Sequence, residues 1–304
     1  MIKVEDIAYV RFGAPDLDKM KQFLSDFGLV VSTGPDGVLY SRGTDPSPYL
    51  HVTEPGDASF RGLAFEARSA EDLAAAAQLD GASGVEKIEA PGGGQRVRFS
   101  DPDGNRVEVV HGRELLPPLP VRTAAPLNTG SRVQRRGDLQ RVQAGPSSVK
   151  RLGHAVIRVS DFERSRKWYA SRFGFVASDE VYLGDESNVV TAFMRCDRGE
   201  RYSDHHTLLC VGLGEPGFDH AAFEVEDIDA VMVGHDHLLH AGYDHHAGIG
   251  RHVLGSQVFD YWNDPWGRVL EHFTDGDLLN EQHECGHFDP ATALGTQWGT
   301  FMAG

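Results

Sequence analysis

The feature that most constrains the fold is a duplication, because the pattern of the first half of the chain recurs in the second. Both halves open with an apolar strand, pass through an Asp in the N-cap position, and enter a helix closed by glycine, Gly28 in one half and Gly174 in the other. Both close with an Asp-Pro-x-Gly turn between two strands, at residues 101–104 and 264–267. Two copies of one pattern predict two tandem domains of the same architecture.

Each half divides again into two units of the form strand, helix and about three further strands. The later unit of each half predicts a helix, around residues 70–79 and 228–240. The unit boundaries fall near 1–55, 56–112, 150–212 and 213–275. The sequence therefore predicts an α+β fold of four βαβββ modules, with an N-terminal domain over 1–112 and a C-terminal domain over 150–278.

Two segments lie outside the repeat. Residues 113–149 are rich in Pro, Gly, Arg and Ser, which predicts a linker or an extended strap between the domains. Residues 279–304 are weakly patterned, and we expect this tail to pack on the C-terminal domain.

Composition narrows the classes of function. The chain has 304 residues with 29 Lys and Arg against 45 Asp and Glu, a formal net charge of −16. This acidic balance argues against binding to nucleic acid or to an anionic membrane surface, and no apolar run approaches the length of a membrane span. Three cysteines and the lack of a secretory leader are typical of a reduced protein, so we expect a cytoplasmic location.

Three residues far apart in the chain point to metal chemistry: His154, His220 and Glu271. Each lies in a short apolar run typical of a strand, so a sheet can bring them together. Two imidazoles and one carboxylate form the ligand set of non-haem iron(II) oxygenases, which leaves one face of the ion open. Each residue alone is more often structural than ligating, and the hypothesis depends on all three occurring together in a duplicated fold.

Superposing the two halves assigns this set to the second half. The aligned pairs are His154 with Tyr9, His220 with Gly62, and Glu271 with Glu108. The first half keeps a carboxylate but has no imidazole at either equivalent position. We therefore expect an N-terminal domain without metal and a C-terminal domain that is catalytic and binds the metal.

This organisation resembles the vicinal oxygen chelate superfamily and, within it, the two-domain type I extradiol catechol dioxygenases. The resemblance covers nearly the whole chain except the linker and the tail, and is most specific in the segment ending at Glu271. That family has a histidine and a tyrosine at fixed distances before its glutamate ligand, and His252 and Tyr261 stand at those distances. It has a further active-site histidine before the second ligand, where His206 is favoured over His205.

The resemblance implies a fold and a reaction. Each domain would be an open mixed-sheet barrel with helices outside. The enzyme would insert both atoms of O2 into a catechol beside its two hydroxyls, giving a muconic semialdehyde-type product. The metal would be Fe(2+), with Mn(2+) as the alternative. The expected partners are a catecholic small molecule and O2, with no nucleic acid, no membrane and a homo-oligomeric assembly.

The resemblance also implies roles for individual residues. His154, His220 and Glu271 would be the metal ligands. The catalytic residues would be His206, which stabilises and protonates the oxygen species, His252, which contacts the substrate hydroxyl or orients the pocket, and Tyr261, which hydrogen-bonds the deprotonated substrate oxygen.

Other functions stay open. A glyoxalase-like or epimerase-like metal enzyme is one alternative, although such enzymes usually use four protein ligands. A non-catalytic small-molecule binder without a metal set is another. Neither the number of rings of the catechol nor its substituents follow from the sequence.

The remaining histidines and aromatic residues are weaker candidates for a metal site or for the wall of the substrate pocket. His235 and His240 fall on a predicted helix, where residues five apart share a face poorly, so a solvated face is favoured over a metal site. Residues 244–248 predict a loop, and the run from 283 to 287 has no standard zinc spacing. Since adjacent strand residues face opposite sides, we expect His205 to face solvent or the linker. The candidates for aromatic pocket walls are Trp262, Phe259, Phe193 and Phe175.

Overall fold

The computed structural model describes residues 1–300, whose strands form two large mixed sheets, with helices packed against them, and one small two-stranded sheet. The first sheet and its helices comprise β1 (Val4–Ala14), α1 (Leu17–Asp26), β2 (Val30–Thr33), β3 (Leu39–Arg42), β4 (His51–Pro55), β5 (Ser59–Ala67), α2 (Ala70–Ala76), β6 (Glu86–Lys87), β7 (Gln95–Ser100) and β8 (Arg106–His111). No helix in the described part of the chain is both long and apolar enough to cross a lipid bilayer.

The second half has its own series of elements. They comprise β9 (Val149–Arg158), α3 (Phe162–Phe173), β10 (Phe175–Tyr182), β11 (Val189–Cys196), β12 (Ser203–Asp204), β13 (Leu208–Val211), β14 (Gly217–Val225), α4 (Ile228–His240), β15 (His245–His252), β16 (Val258–Asn263) and β17 (Val269–Thr274). The tail adds β18 (Leu278–Leu279), β19 (Gly286–Phe288), α5 (Pro290–Ala293) and β20 (Thr296–Gly299).

The two sheets share one strand order. The first is β2-β3-β4-β1-β5-β8-β7-β6, and the second is β10-β11-β13-β9-β14-β17-β16-β15 with an added strand at each edge. In each sheet the two central strands are antiparallel, and each of them pairs in parallel with the last strand of its own module. The predicted α+β fold of four βαβββ modules in two repeated domains is confirmed.

The helices begin where capping residues are present. The cap side chains, each accepting a hydrogen bond from a backbone N–H of the first turn, are Asp16, Ser69, Asp161 and Asp227. The helix predicted over 228–240 is found there, but the one predicted over 70–79 ends at Ala76. Beyond it the chain tightens, since the N–H of Gln78 bonds to the carbonyl of Ala75, three residues back.

One apolar core extends through both domains. At its centre Phe27 stacks on His272 with 3.9 Å between ring centroids, and His272 Nε2 donates to the Phe27 carbonyl at 2.7 Å. Arg268 of the second domain donates to the Gly13 carbonyl at 2.6 Å and lies over the ring of Phe12. These contacts fix the first domain against the sheet that carries the candidate site.

The segment between the domains has no helix or strand within residues 113–148. It contacts both domains as a strap: Arg113 pairs with Glu66 of β5, and Gln140 donates to Asp229 of α4 at 2.6 Å. The described part of the tail lies on the second sheet, where β19 pairs with β10 at one edge and β20 pairs with β15 at the other. Residues 301–304 of the predicted tail lie outside the described residues.

Gly28 provides a test of how the strap is anchored to the first domain. Its φ is +101°, and an added Cβ would lie 1.5 Å from the Ser147 carbonyl oxygen. Gly37 also has a positive φ, of +79°, but an added Cβ there meets nothing within 4 Å. We expect Gly37→Ala to lower the free energy of unfolding by about 1 kcal/mol and Gly28→Ala by more than about 2 kcal/mol. Urea unfolding measures both, and equal losses would contradict the packing described.

Candidate metal centre and active site

Three adjacent strands at the middle of the second sheet place the predicted ligands on one face. Glu271 of β17 and His154 of β9 both align with Ala222 of β14, so their side chains point to the same side. His220 lies two positions from Ala222 along β14 and therefore shares that side. The Nε2 atoms of His154 and His220 each lie 3.4 Å from Glu271 Oε2. The structure thus brings all three residues together.

Glu271 is the least satisfied polar group of this centre. It is 0% exposed, and neither carboxylate oxygen has a hydrogen-bond partner among the described residues, because the two imidazole contacts at 3.4 Å do not have the geometry of hydrogen bonds. A buried carboxylate in that condition is strongly destabilising unless a cation compensates it. Ligand atoms bound at ordinary distances to one ion stand roughly 3 Å apart. The spacing and donor types therefore fit a divalent transition metal.

The proton positions favour metal binding. His220 Nδ1–H donates to Asp219 Oδ1 at 2.8 Å, which leaves the Nε2 lone pair directed toward Glu271. Burial lowers the pKa of His154, so it is neutral. Burial would also lower the pKa of His220, but the hydrogen bond to Asp219 and the charge of Glu271 outweigh it and raise that pKa. Asp219 was missed in the sequence, although it directly precedes a proposed ligand.

His206 lies beside the centre, with its ring 4.0 Å from that of His154 between centroids. Its Nδ1 lies 3.1 Å from His205 Nδ1, and His205 Nε2–H donates to Asp179 Oδ2 at 2.7 Å. Burial and the neighbouring imidazoles hold the pKa of His206 well below its ordinary value. The three residues form a hydrogen-bonded chain that ends at the candidate centre.

The expectation that His205 faces solvent or the linker is wrong. His205 is 3% exposed and is held between Asp179 and His206. The reason is local: residues 205–207 lie between β12 and β13, so the alternation of a strand does not apply to them. Asp179 was also missed, although three consecutive polar residues at 178–180 within the strand β10 are an unusual feature.

His252 and Tyr261 complete the group. His252 Nε2 lies 2.9 Å from the Tyr261 hydroxyl, and the Tyr261 ring packs edge-on against His220 with 5.1 Å between centroids. Burial and the charge of Glu271 raise the pKa of Tyr261 well above 10, so its hydroxyl keeps its proton. Burial lowers the pKa of His252 to about 4, so this imidazole is neutral.

The four aromatic candidates separate into two pairs. Phe193 packs against His206 with 5.1 Å between ring centroids, and Phe259 stacks on His252 at 4.0 Å, so both line the centre. Trp262 does not, because its indole N–H donates to Asp260 on the other face of the sheet. Phe175 packs against Phe65 and Phe173 in the core between the domains.

The equivalent place in the first domain is filled by protein groups. The Tyr9 hydroxyl donates to Glu108, and the guanidinium groups of Arg11, Arg96 and Arg106 surround that carboxylate. A side chain at Gly62 is impossible without rearrangement, because an added Cβ would lie 2.2 Å from the Arg106 carbonyl oxygen. The first domain therefore compensates its buried carboxylate with arginine, whereas no Lys or Arg among the described residues pairs with Glu271.

Comparison with known proteins gives one family. Residues 6–109 and 151–272 each match the family described as Glyoxalase/Bleomycin resistance protein/Dioxygenase superfamily. Each match covers one domain, in agreement with the duplication.

Two curated relatives align along nearly the whole chain. Metapyrocatechase 2 of Cupriavidus necator is 32% identical, over 97% of this chain and 89% of the relative. The iron-dependent extradiol dioxygenase of Rhodococcus jostii is 25% identical, over 98% of this chain and 97% of the relative. Among solved structures, the Mn(II)-bound glyoxalase of Novosphingobium aromaticivorans superposes with a TM-score of 0.80 at 25% identity, covering 99% of this chain and 93% of its own.

Proposed function

The chain belongs to the Glyoxalase/Bleomycin resistance protein/Dioxygenase superfamily, and we propose that it is an extradiol ring-cleaving dioxygenase of that superfamily. Its substrate would be a catechol-type diol, opened beside the two hydroxyls with both atoms of O2 entering the product. The observation that carries the proposal is the buried Glu271 carboxylate, which has no hydrogen bond and lies between two imidazoles, with His206, Tyr261 and His252 beside it. The two relatives that align along nearly the whole chain, named metapyrocatechase 2 and iron-dependent extradiol dioxygenase, support the same reaction.

The proposed metal ligands are His154, His220 and Glu271, and the proposed ion is Fe(2+), with Mn(2+) as the alternative. Bound there, a divalent iron would lower the pKa of a substrate hydroxyl and allow electron density to pass from the diol to dioxygen. Asp219 fixes the His220 ring and its tautomer, and such partners of a ligand commonly change metal affinity 10- to 100-fold.

His206 is proposed to hold and return a proton beside the reacting groups. Because the Asp179 carboxylate only accepts, His205 carries its proton on Nε2 and accepts from His206 on Nδ1. His206 then presents a bare Nε2, which can take a proton from a substrate hydroxyl and later protonate an oxygen atom. Its low pKa ensures that the neutral form is present before substrate binds.

Tyr261 and His252 are proposed to position the substrate. The Tyr261 hydroxyl keeps its proton and is therefore a donor for a deprotonated substrate oxygen. Its 2.9 Å hydrogen bond with His252 fixes where that donor points. The partly exposed Phe193 provides an apolar wall for an aromatic ring, and the buried Phe259 supports the His252 ring by stacking on it.

A glyoxalase-like reaction is the second candidate, favoured by the Mn(II)-bound glyoxalase of the same fold. Such enzymes usually take four protein ligands, whereas the group of ligand type gathered here contains two imidazoles and one carboxylate. Consumption of O2 distinguishes the two candidate reactions, because a glyoxalase reaction consumes no O2.

The activity itself is the first test of the proposal. With catechol in air, the iron-loaded protein should consume one O2 per diol and form a yellow ring-opened product. Glu271→Gln should abolish this reaction and weaken iron binding by more than about 100-fold, since it removes a ligand rather than a ligand's partner. The exposed Glu163→Gln is the charge-matched control and should keep both. Turnover of a thiol adduct without oxygen uptake would favour the glyoxalase reaction instead.

His206→Phe separates proton transfer from metal binding. Loss of a positioned acid–base group should reduce kcat by roughly 10²–10⁴-fold. The iron content, measured by elemental analysis after anaerobic purification, should equal that of the unaltered protein. A folded variant that has lost its iron would show that His206 is a ligand and would contradict the assignment.

Asp179→Asn tests the hydrogen-bonded chain behind His206. An asparagine amide that donates to His205 Nε2 reverses the proton order and leaves His206 Nε2 protonated. We expect kcat to fall roughly 10-fold or more, with an altered pH profile and little change in KM or iron content. The exposed Asp185→Asn is the control. A purely structural role for Asp179 would lower thermal stability but leave the pH profile of kcat unmoved.

A further inference from the structure

A second group of two histidines and one carboxylate lies on the other face of the C-terminal sheet. Asp260 directly precedes Tyr261 in β16, so its side chain points away from the candidate active site and toward α4. His235 Nδ1 of α4 lies 3.1 Å from both Asp260 carboxylate oxygens, and His245 Nε2 of β15 lies 2.8 Å from Oδ1. The ligand-type atoms of these three residues, here named the outer cluster, all lie within 4.8 Å of one another.

The structure overturns the expectation that His235 belongs to a solvated helix face. Its imidazole contacts Asp260 and packs against His245 and Trp262 with 4.8 and 5.4 Å between ring centroids. His245 is the first residue of β15 rather than part of a loop over 244–248. Helical periodicity could not predict the contact between His235 and Asp260, because periodicity describes only neighbours on the same helix and Asp260 lies on a strand.

Charge distinguishes the outer cluster from an ordinary buried ion pair. Asp260 is 0% exposed, and among residues 1–300 its ion-pair partners are the two histidines, with no lysine or arginine. The indole N–H of Trp262 donates to Oδ2 at 2.6 Å, which leaves Oδ1 as the oxygen nearest His245. The side chains of His235 and His245 are 18% and 17% exposed, so an ion can enter from solvent.

We propose that His235, His245 and Asp260 form a second, outer binding site for a divalent transition-metal ion, with Zn(2+) as the best fit. Two imidazole nitrogens and one carboxylate oxygen, with a fourth position open to solvent, suit tetrahedral zinc. They do not suit Ca(2+) or Mg(2+), which prefer oxygen ligands. Each imidazole nitrogen lies 2.8–3.1 Å from an Asp260 oxygen, slightly closer than the 3.4 Å between imidazole and carboxylate at the candidate active site. Trp262 supplies the outer hydrogen bond that orients a ligating carboxylate.

A third group, formed by Glu180, Cys285 and His287, has ligand atoms equally close together. It carries no proposal, because the Arg166 guanidinium already pairs with the Glu180 carboxylate. A cation in contact with that carboxylate competes with a metal for the same charge.

An ion in the outer site would join α4 to β15 and β16, the strands that carry His252 and Tyr261. Since the sheet lies between the two sites, this ion would touch no substrate. The proposal therefore does not depend on the reaction assigned to the candidate active site. Because His235 Nδ1 and His245 Nε2 now donate to Asp260, binding of an ion requires each of these nitrogens to give up its proton.

Zinc stoichiometry tests the proposal on the full-length protein. Apoprotein is equilibrated with a small excess of Zn(2+), desalted, and analysed for bound zinc. We expect two equivalents in the unaltered protein, one in Glu271→Gln, one in Asp260→Asn, and one in His245→Gln. The two outer variants keep side chains of similar size that still form hydrogen bonds, and near-UV circular dichroism confirms their packing. Cys285→Ser is the matched control for the tail group and should retain both equivalents.

Two outcomes would contradict the outer site. Zinc-free Glu271→Gln protein would show that only the candidate active site binds zinc. A second equivalent that survives in both Asp260→Asn and His245→Gln would belong elsewhere, and its loss in Cys285→Ser would assign it to the tail group. Iron binding and ring cleavage are measured separately, so failure here leaves the proposed function standing.

Discussion

The charge of one buried carboxylate governs the organisation of the second domain. Glu271 is fully removed from water in the middle of a sheet, and no arginine or lysine among residues 1–300 pairs with it. A bare carboxylate in such a place is unfavourable by several kcal/mol. The two imidazoles form no hydrogen bond with it, whereas a divalent cation held by all three groups would remove that penalty. On the proposed function, this unfavourable energy would be recovered when an ion binds.

In the first domain, the equivalent strands carry a carboxylate whose charge is compensated by protein side chains. Glu108 occupies the position of Glu271, but Tyr9 and three arginines satisfy it, and Gly62 leaves no room for an imidazole. The two sheets are similar, and they differ in the few side chains around this carboxylate. Only the second sheet has the residues proposed to bind a metal. Around the second site, Asp219 and the chain from Asp179 through His205 fix ring orientations and proton positions. Geometry and protonation are therefore set before any substrate arrives.

Much of this was predictable from the sequence because it repeats or is periodic. The four modules, the helix over 228–240 and the meeting of His154, His220 and Glu271 follow from strand patterns and aligned halves. The features that the sequence did not predict depend on contacts between residues far apart in the chain or outside regular strands. His205 turns inward because it lies outside a strand, Asp179 approaches it from a neighbouring strand, and Asp260 meets His235 across a helix–sheet interface. Trp262, one of the four candidates for a pocket wall, lies on the other face of the sheet, where its indole N–H donates to the Asp260 side chain.

On this account, a metal ion compensates the charge of Glu271 in the second domain. In the first domain three arginines compensate Glu108, and no metal ion binds there. Anomalous diffraction at the iron edge, from crystals of anaerobically purified protein, tests it most directly. We expect one strong peak within about 2.0–2.3 Å of the Nε2 atoms of His154 and His220 and of one Glu271 oxygen. A peak beside Glu108, or a fully active crystal with no peak between these three residues, would contradict the account.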